Sequence, residues 1–312
     1  MTYTSHTKFS GELAGHLGQI VSVVVFSVGI MVQKDLASRY AAADIVALQF
    51  SISAVLMWVA CAALGYLPRR LSDAVPGILW GMLTPGIVFL LASEGASRTD
   101  GVSVALIWGM IPLLSPIVGR FVLGERFHWS LPLGASIGFC GVVALTLNRQ
   151  SIGAGDALGN LLVLAGVMTV VIGQMIGRRL NTQGAPWFRM ATLQITGATL
   201  ISIFVIGLDG SWVPRISSND WAAFSGLAYL VLGMTMVNFI GYNLALSRIP
   251  VAWVSLYSSL SPAIGTLTAV ILLAALVRPS DAFGIMVIVG GVALPHLFRI
   301  LKGRRAATTA AT

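Results

Sequence analysis

The chain has 312 residues, of which 56% are hydrophobic and only 10% charged, with a formal net charge of +8. Soluble domains carry about 25% charged residues; charge this sparse cannot cover a water-facing surface, so a soluble fold is excluded. The two cysteines, Cys61 and Cys140, have neither a metal-ligand spacing nor the numbers for a disulfide framework, and both are expected as free, buried thiols inside apolar stretches.

Apolar runs of about 20 residues, long enough to cross a hydrocarbon core roughly 30 Å thick, recur along the whole chain. No stretch alternates with a period of two, so helices rather than a barrel must satisfy the backbone. Ten spans are expected at about 15–33, 43–65, 75–97, 101–123, 129–147, 156–178, 186–208, 221–246, 250–276 and 281–300. The first resembles a signal peptide in that Lys8 precedes it and Ala41-Ala42-Ala43 follows. Lys34, Asp35 and Arg39 intervene, however, and the run is long enough to span, so it is read as a retained helix. It carries Gln19 and Ser22 on one face, and the second span carries Gln49 and Ser53. The third holds Trp80 and Thr84 four residues apart, a Gly77/Gly81 pair, and Glu94 placed to meet Arg98 one turn later. Pro112 interrupts the fourth, freeing the carbonyl of Trp108. The fifth and sixth carry the small pairs Gly134/Gly138 and Gly173/Gly177, which let helices approach closely. Gln194 lies in the seventh, and Asn238 and Tyr242 share a face of the eighth beside Thr235. Tyr257, Ser258 and Ser261 crowd the ninth, where Pro262 frees the Ser258 carbonyl. Trp129, Trp212 and Trp221 near span ends read as an interfacial belt, and His16, His128 and His296 as residues flanking spans. The breaks, among them Pro68-Arg69-Arg70, Gly153-Ala154-Gly155 and Pro279-Ser280-Asp281, are too short to fold as domains.

Residues 81 to 145 reappear, loosely and without a gap, as residues 231 to 295. Arg98 falls on Arg248, Phe89 on Phe239, Pro112 on Pro262, Gly134 on Gly284 and Gly141 on Gly291. Five spans per half is an odd number, so the second half must enter the membrane from the opposite side. The expected fold is an all-α polytopic membrane protein. Its ten transmembrane helices form two inverted five-helix repeats, 1–150 and 151–312, around a central cavity. With a cytoplasmic N-terminus only Lys34, Arg39, Arg98, Arg149, Arg215 and Arg278 of the 19 basic residues face outward. That is the bias expected of cytoplasmic termini, and topology then accounts for the basic charge without a nucleic-acid partner.

The candidate substrate-binding set is Gln19, Gln49, Ser53, Trp80, Thr84, Trp108, Gln194, Asn238, Tyr242, Tyr257 and Ser258, with Pro112 and Pro262 as hinges or gates. Each polar member has an alternative use in bonding one helix to another; taken together, in so many spans, they are read as lining a cavity. Each proline likewise serves as a kink or as part of the lining. No Asp or Glu falls in mid-span, which disfavours a carboxylate proton relay. Absence of GxxxxGK[ST], HExxH and GxSxG disfavours nucleotide drive and hydrolysis. No catalytic residue, metal site or cofactor is expected.

The residues Ile111-Pro112-Leu113, Leu123-Gly124-Glu125-Arg126 and Gly134 to Gly141, echoed by Ser261-Pro262-Ala263 and Gly284 to Gly291, resemble the drug/metabolite transporter superfamily in its ten-helix EamA-like branch. The run Ala96-Ser97-Arg98 and its partner Leu244 to Ser247 resemble the family's segments before the fourth and ninth helices. The resemblance implies inverted halves, cytoplasmic termini, a central cavity and export of amino acids or other small metabolites. Within the branch the chain is most similar to YddG-type aromatic amino-acid exporters. It departs at Ala274-Ala275-Leu276, where the second half lacks the Gly-Glu-Arg signature, and at Gln49, where many relatives carry Arg. The expected activity is secondary transport of small metabolites by alternating access, amino acids exported across a bacterial inner membrane, with the lipid bilayer and a small molecule as partners; the oligomeric state is left open, a monomer being compatible. The competing readings are export of drug-like or nucleotide-type solutes, and a non-transporting receptor or assembly subunit.

Overall fold

A computed structural model describes residues 3–147, 156–208, 220–273 and 278–310, and among these described residues ten helices are long and apolar enough to cross a bilayer. They are α1 (Gly11–Ala37), α2 (Ala42–Ala63), α3 (Leu71–Arg98), α4 (Gly101–Leu123), α5 (Ser130–Leu147), α6 (Ala157–Thr182), α7 (Trp187–Leu208), α8 (Trp221–Arg248), α9 (Val251–Ile271) and α10 (Asp281–Leu301). Their ends fall within about a turn or so of the expected ones. The Gly153-Ala154-Gly155 break, the boundary between 150 and 151, Arg149, Trp212, Arg215 and Ala274-Ala275-Leu276 lie outside the described residues.

Helices in lipid gain nothing from hiding apolar surface from one another, so close packing of small residues must hold them together. Glycine does this at the crossings. A Cβ on Gly134 would stand 2.4 Å from the Gly291 carbonyl oxygen, and one on Gly141 would stand 2.9 Å from the Gly284 carbonyl oxygen, so α5 and α10 run antiparallel in backbone contact. Gly18 of α1 meets Gly241 of α8 in the same manner, and Gly95 of α3 meets Gly159 of α6. Between α3 and α7 the approach is tightest: a Cβ on Gly81 would lie 2.0 Å from the Gln194 carbonyl oxygen, and one on Gly197 would lie 2.1 Å from that of Ile78. Gly81→Ala is therefore expected to force the two backbones apart at a cost of about 1–3 kcal/mol. Gly265→Ala, with open space around it, should leave the thermal midpoint of the purified protein unchanged, and equal midpoints for the two variants would refute this account of the crossing.

The outer faces carry large apolar side chains. Leu71, Phe121, Trp221 and Ile271 are all more than three-quarters exposed, a surface suited to hydrocarbon and not to water. Trp129 and Trp221 stand exposed at helix starts, as expected of a belt. Cys61 is buried, but Cys140 is exposed on α5, contrary to expectation; an apolar run in a bilayer does not imply burial, because lipid accepts the same side chains. The centre belongs to the first half of α9, where every residue from Val251 to Tyr257 is buried. A helix apolar on all sides belongs at the core.

Capping carboxylates stitch the ends. Asp220 accepts from the Ala223 amide at 2.9 Å, from Tyr40 Oη at 2.8 Å and from Arg39 at 2.8 Å, joining the start of α8 to the turn after α1. These donors, the Ala223 amide foremost, hold its carboxyl below the usual carboxylate range. Asp100 caps α4 through Ser103 and is held low for the same reason. Glu94 and Arg98 pair at 2.6 Å, as their spacing predicts.

Candidate functional site

Four spans are irregular in mid-membrane. α4 consists of Gly101–Trp108 and Ile111–Leu123, and α9 of Val251–Ser258 and Ser261–Leu273. Pro112 and Pro262 are the second residues of the later segments, where a missing N–H costs nothing. The breaks are closed by tight turns: Met110 N donates to Ile107 O at 3.1 Å, and Leu260 N to Tyr257 O at 3.0 Å. The prolines thus begin new helices, consistent with the hinge reading. Widened turns occupy Met82–Ile87 of α3 and Leu230–Val237 of α8. Thr84, before Pro85, is non-helical at φ −136° and ψ 107°, in keeping with the restriction proline places on its predecessor. In α8 the wider spacing shows in Thr235, whose hydroxyl donates to Leu230 O at 2.9 Å. Such π-type turns concentrate at functional positions.

The unwound Thr84 anchors a chain of amides. Gln194 Nε2 of α7 donates to Thr84 O at 2.9 Å, Asn243 Nδ2 of α8 to Gln194 Oε1 at 2.9 Å, and Asn181 Nδ2 of α6 to Asn243 Oδ1 at 2.9 Å. Asn243 and Asn181 also donate to the carbonyls of Phe239 and Gly177, which fixes the orientation of each amide. Three consecutive amides aligned this way polarise one another, and Asn181 Oδ1 at the end has no partner among the described residues. Trp80 Nε1, a buried donor without a partner among the described residues, belongs to the same region, because its ring rests on Gly177. The expected Trp80/Thr84 face thus meets the expected Gly173/Gly177 face, Thr84 lying on Gly173 and Trp80 on Gly177.

A second group joins α1, α2, α8 and α9. Gln19 Nε2 donates to Val254 O at 3.1 Å, Ser22 Oγ to Asn238 Oδ1 at 2.5 Å, Gln49 Nε2 to Thr235 Oγ1 at 2.8 Å and Ser53 Oγ to Val231 O at 3.3 Å. Gln19 Oε1 and Gln49 Oε1 are buried without a donor among the described residues. Trp108 and Tyr242 pack partly buried against the central core, and Ser258 Oγ bonds back to Val254 O. Most of the polar candidates are thus engaged between helices, with one acceptor left open on each of two glutamines. A separate cleft between α2, α3 and α7, lined by residues such as Phe50, Phe89 and Val205, is apolar.

Two groups escaped the sequence reading. His16 and His296 do not merely flank spans: both bond Tyr257 inside the protein, at 2.9 and 2.8 Å. The correction has a simple cause, since a residue near a span end still faces inward if its helix side does. The signal was histidine within apolar runs, which is rare without a function. Glu125 accepts from Arg178 Nε of α6 at 3.0 Å and from Val251 N at 2.9 Å, and Arg178 also donates to Leu246 O. One carboxylate thereby ties the α4–α5 turn to α6 and to the turn between α8 and α9. No group of three or more metal-ligating side chains occurs among the described residues.

The profile of the EamA-like transporter family matches residues 13–147 and again residues 157–295. Two relatives come from Bacillus subtilis (strain 168). The uncharacterized transporter YyaM is 25% identical over 177 residues, covering 54% of this chain and 56% of that protein; the chain thus spans little more than half of that relative's length. The uncharacterized transporter YetK is 22% identical over 299 residues, covering 90% of this chain and 86% of that one. A protein crystal structure superimposes with a TM-score of 0.77 over 92% of this chain and 98% of its own, at 19% identity, a likeness of fold alone.

Proposed function

The chain belongs to the EamA-like transporter family, a multi-pass membrane transporter and not an enzyme, and from that premise we propose that it exports small neutral metabolites, amino acids foremost, by alternating access. The observation that carries this reading is the matched interruption of α4 at Gly109–Met110 and α9 at Ser259–Leu260, positions 150 residues apart in the repeat. Broken helices in corresponding positions of two halves are where secondary transporters bind and hinge. The packing supports an inverted pair, residues 1–150 and 151–312: the contact of Gly134 with Gly291 is the repeat image of the contact of Gly284 with Gly141, as a two-fold interface requires. We take the termini as cytoplasmic, the membrane as a bacterial inner membrane and one chain as sufficient.

The chemistry of the open groups supports a zwitterion. Gln19 Oε1, Gln49 Oε1 and Asn181 Oδ1 are acceptors suited to an ammonium, and Trp80 Nε1 is a donor suited to a carboxylate. None carries a full charge, which fits a solute of zero net charge. An anionic nucleotide needs a free buried cation, whereas Arg178 is committed to Glu125. Trp80, Trp108 and Tyr242 supply aromatic surface, consistent with the YddG-type resemblance, and Ser53, Thr84, Gln194, Asn238, Tyr257 and Ser258 hold or border the lining.

Cells overexpressing the protein should grow on toxic neutral or aromatic amino-acid analogues that arrest control cells, and Trp108→Ala should change which analogues are tolerated. Purified protein in liposomes that moves no labelled amino acid in either direction would overturn the substrate assignment.

A further inference from the structure

Tyr257 is 2% exposed at the end of the buried half of α9, beside the break. Its hydroxyl lies 2.9 Å from His16 Nδ1 of α1 and 2.8 Å from His296 Nε2 of α10. The two imidazole centroids are 5.7 Å apart. Trp253, one turn earlier on α9, stands edge-on to His16 at 5.1 Å and lies 4.5 Å from His296. Three ionisable side chains bonded to one another within spans are costly to keep there and mark an ion or proton path.

The bonding is proton-limited. A phenol has one proton, so Tyr257 donates to one imidazole nitrogen and accepts an N–H from the other. A proton arriving from water on the accepting nitrogen turns that imidazole into a cationic donor. The phenol oxygen then faces two N–H groups, and its own proton has no acceptor left in the trio. The arrangement stable with one proton count is therefore wrong for the next. The same residue closes the break in α9, because the Tyr257 carbonyl accepts from Leu260 N at 3.0 Å. Its side chain registers the proton and its backbone bounds the interruption.

We propose that His16, Tyr257 and His296 form the proton-binding site that couples this transporter to the proton gradient, a proton bound there biasing the α9 break between its two arrangements. The proposal rests on the transport reading above. The charged groups around the site are Arg299, whose guanidinium stacks on Trp253 at 4.8 Å, and Arg248 of α8, which lies against Gly11 and Gly15 of α1. Glu12 stands one turn before His16 on α1, and His128, just before α5, lies tilted against Phe298 of α10 with ring centroids 6.3 Å apart. The cations oppose positive charge on either imidazole, and one imidazolium opposes a second at this separation, which favours uptake of one proton over two.

The chain has only four histidines, so imidazole signals of the full-length protein in detergent can be followed by NMR from about pH 3 to 8, a range that takes in histidines perturbed by burial and neighbouring charge. His16→Gln and His296→Gln assign the signals, and Tyr257→Phe, which keeps the ring, serves where a histidine variant does not fold. At least one of the two should titrate in that range, and Tyr257→Phe should move its midpoint while the His128 signal stays in place. In a background lacking Cys61 and Cys140, maleimide labelling of Leu260→Cys at the break should change about tenfold, one pKa unit of bias between two states. It should do so at the same midpoint and become flat with pH in Tyr257→Phe. Two silent imidazoles, or titration without any change in labelling, would overturn the proposal. Neither readout uses a substrate, so an inactive liposome assay beside a positive result here would refute the substrate reading alone.

Discussion

Glu125→Ala is expected to lower stability by about 2–3 kcal/mol and the thermal midpoint of the purified protein by roughly 4–8 °C. The carboxylate uses both oxygens, Oε1 for Arg178 Nε and Oε2 for Val251 N. The pair is mostly shielded, with side-chain exposures of 19% for Arg178 and 13% for Glu125. Removing one partner of a buried pair costs about 3–5 kcal/mol because the other charge is left without compensation; the remaining exposure brings the figure down. The carboxylate also sits at the first residue of α9, where negative charge is favoured by the helix N-terminus. If the charge left behind is the chief penalty, the double variant Glu125→Leu with Arg178→Leu should be more stable than Glu125→Ala alone. A double-mutant cycle on thermal midpoints checks this, and additive losses would mean that the two residues act separately. Glu125→Gln, which keeps an acceptor for Val251 N, should lose less than Ala. On the transport proposal this tie shuts one end of the bundle, so Glu125→Ala should also raise passive leak through reconstituted protein.

The sequence made the ten spans legible because two quantities, length and hydropathy, decide whether a helix crosses a bilayer, and both are local. It also made legible the interruptions at Pro112 and Pro262, since proline acts on its own helix. The Trp80/Thr84 and Gly173/Gly177 faces were each visible as spacings of four, but nothing in one helix says which other helix it will meet. The break at Thr84 carries a local signal, Pro85, whereas its counterpart in α8 has no proline and shows only as the Thr235 bond to Leu230. Asn243 and Asn181, the middle and last amides of the chain, lie near span ends, where polar residues are ordinary. Their burial follows from the tilt and packing of four helices at once. The same holds for His16 and His296, which come from opposite ends of the chain and meet only because α1 and α10 both flank α9.

Pro112→Ala and Pro262→Ala should each slow transport about tenfold, an added barrier of about 1.4 kcal/mol, while leaving the amount of folded protein nearly unchanged. Both prolines are second residues of helical segments, where the missing N–H is one of the groups a helix start leaves unbonded in any case. Their loss from the folded state therefore costs only the stiffness they give the unfolded chain, about 0.4–1 kcal/mol. Alanine restores an N–H that can reach the carbonyl four residues back, that of Trp108 in α4 or Ser258 in α9, and so splice the two segments into one continuous helix. A spliced α4 or α9 no longer bends at the position that the proposed inverted repeat would place at matching depth in the two halves. Pro116→Ala, a proline of α4 inside a regular segment with no break beside it, is the control and should leave the rate alone. Initial rates of labelled neutral amino acids in proteoliposomes, normalised to reconstituted protein, decide the matter. A fall in rate that only follows a fall in folded protein would make the prolines helix starters and nothing more. Equal slowing by the two variants would place the moving parts symmetrically in both halves, as an inverted pair demands.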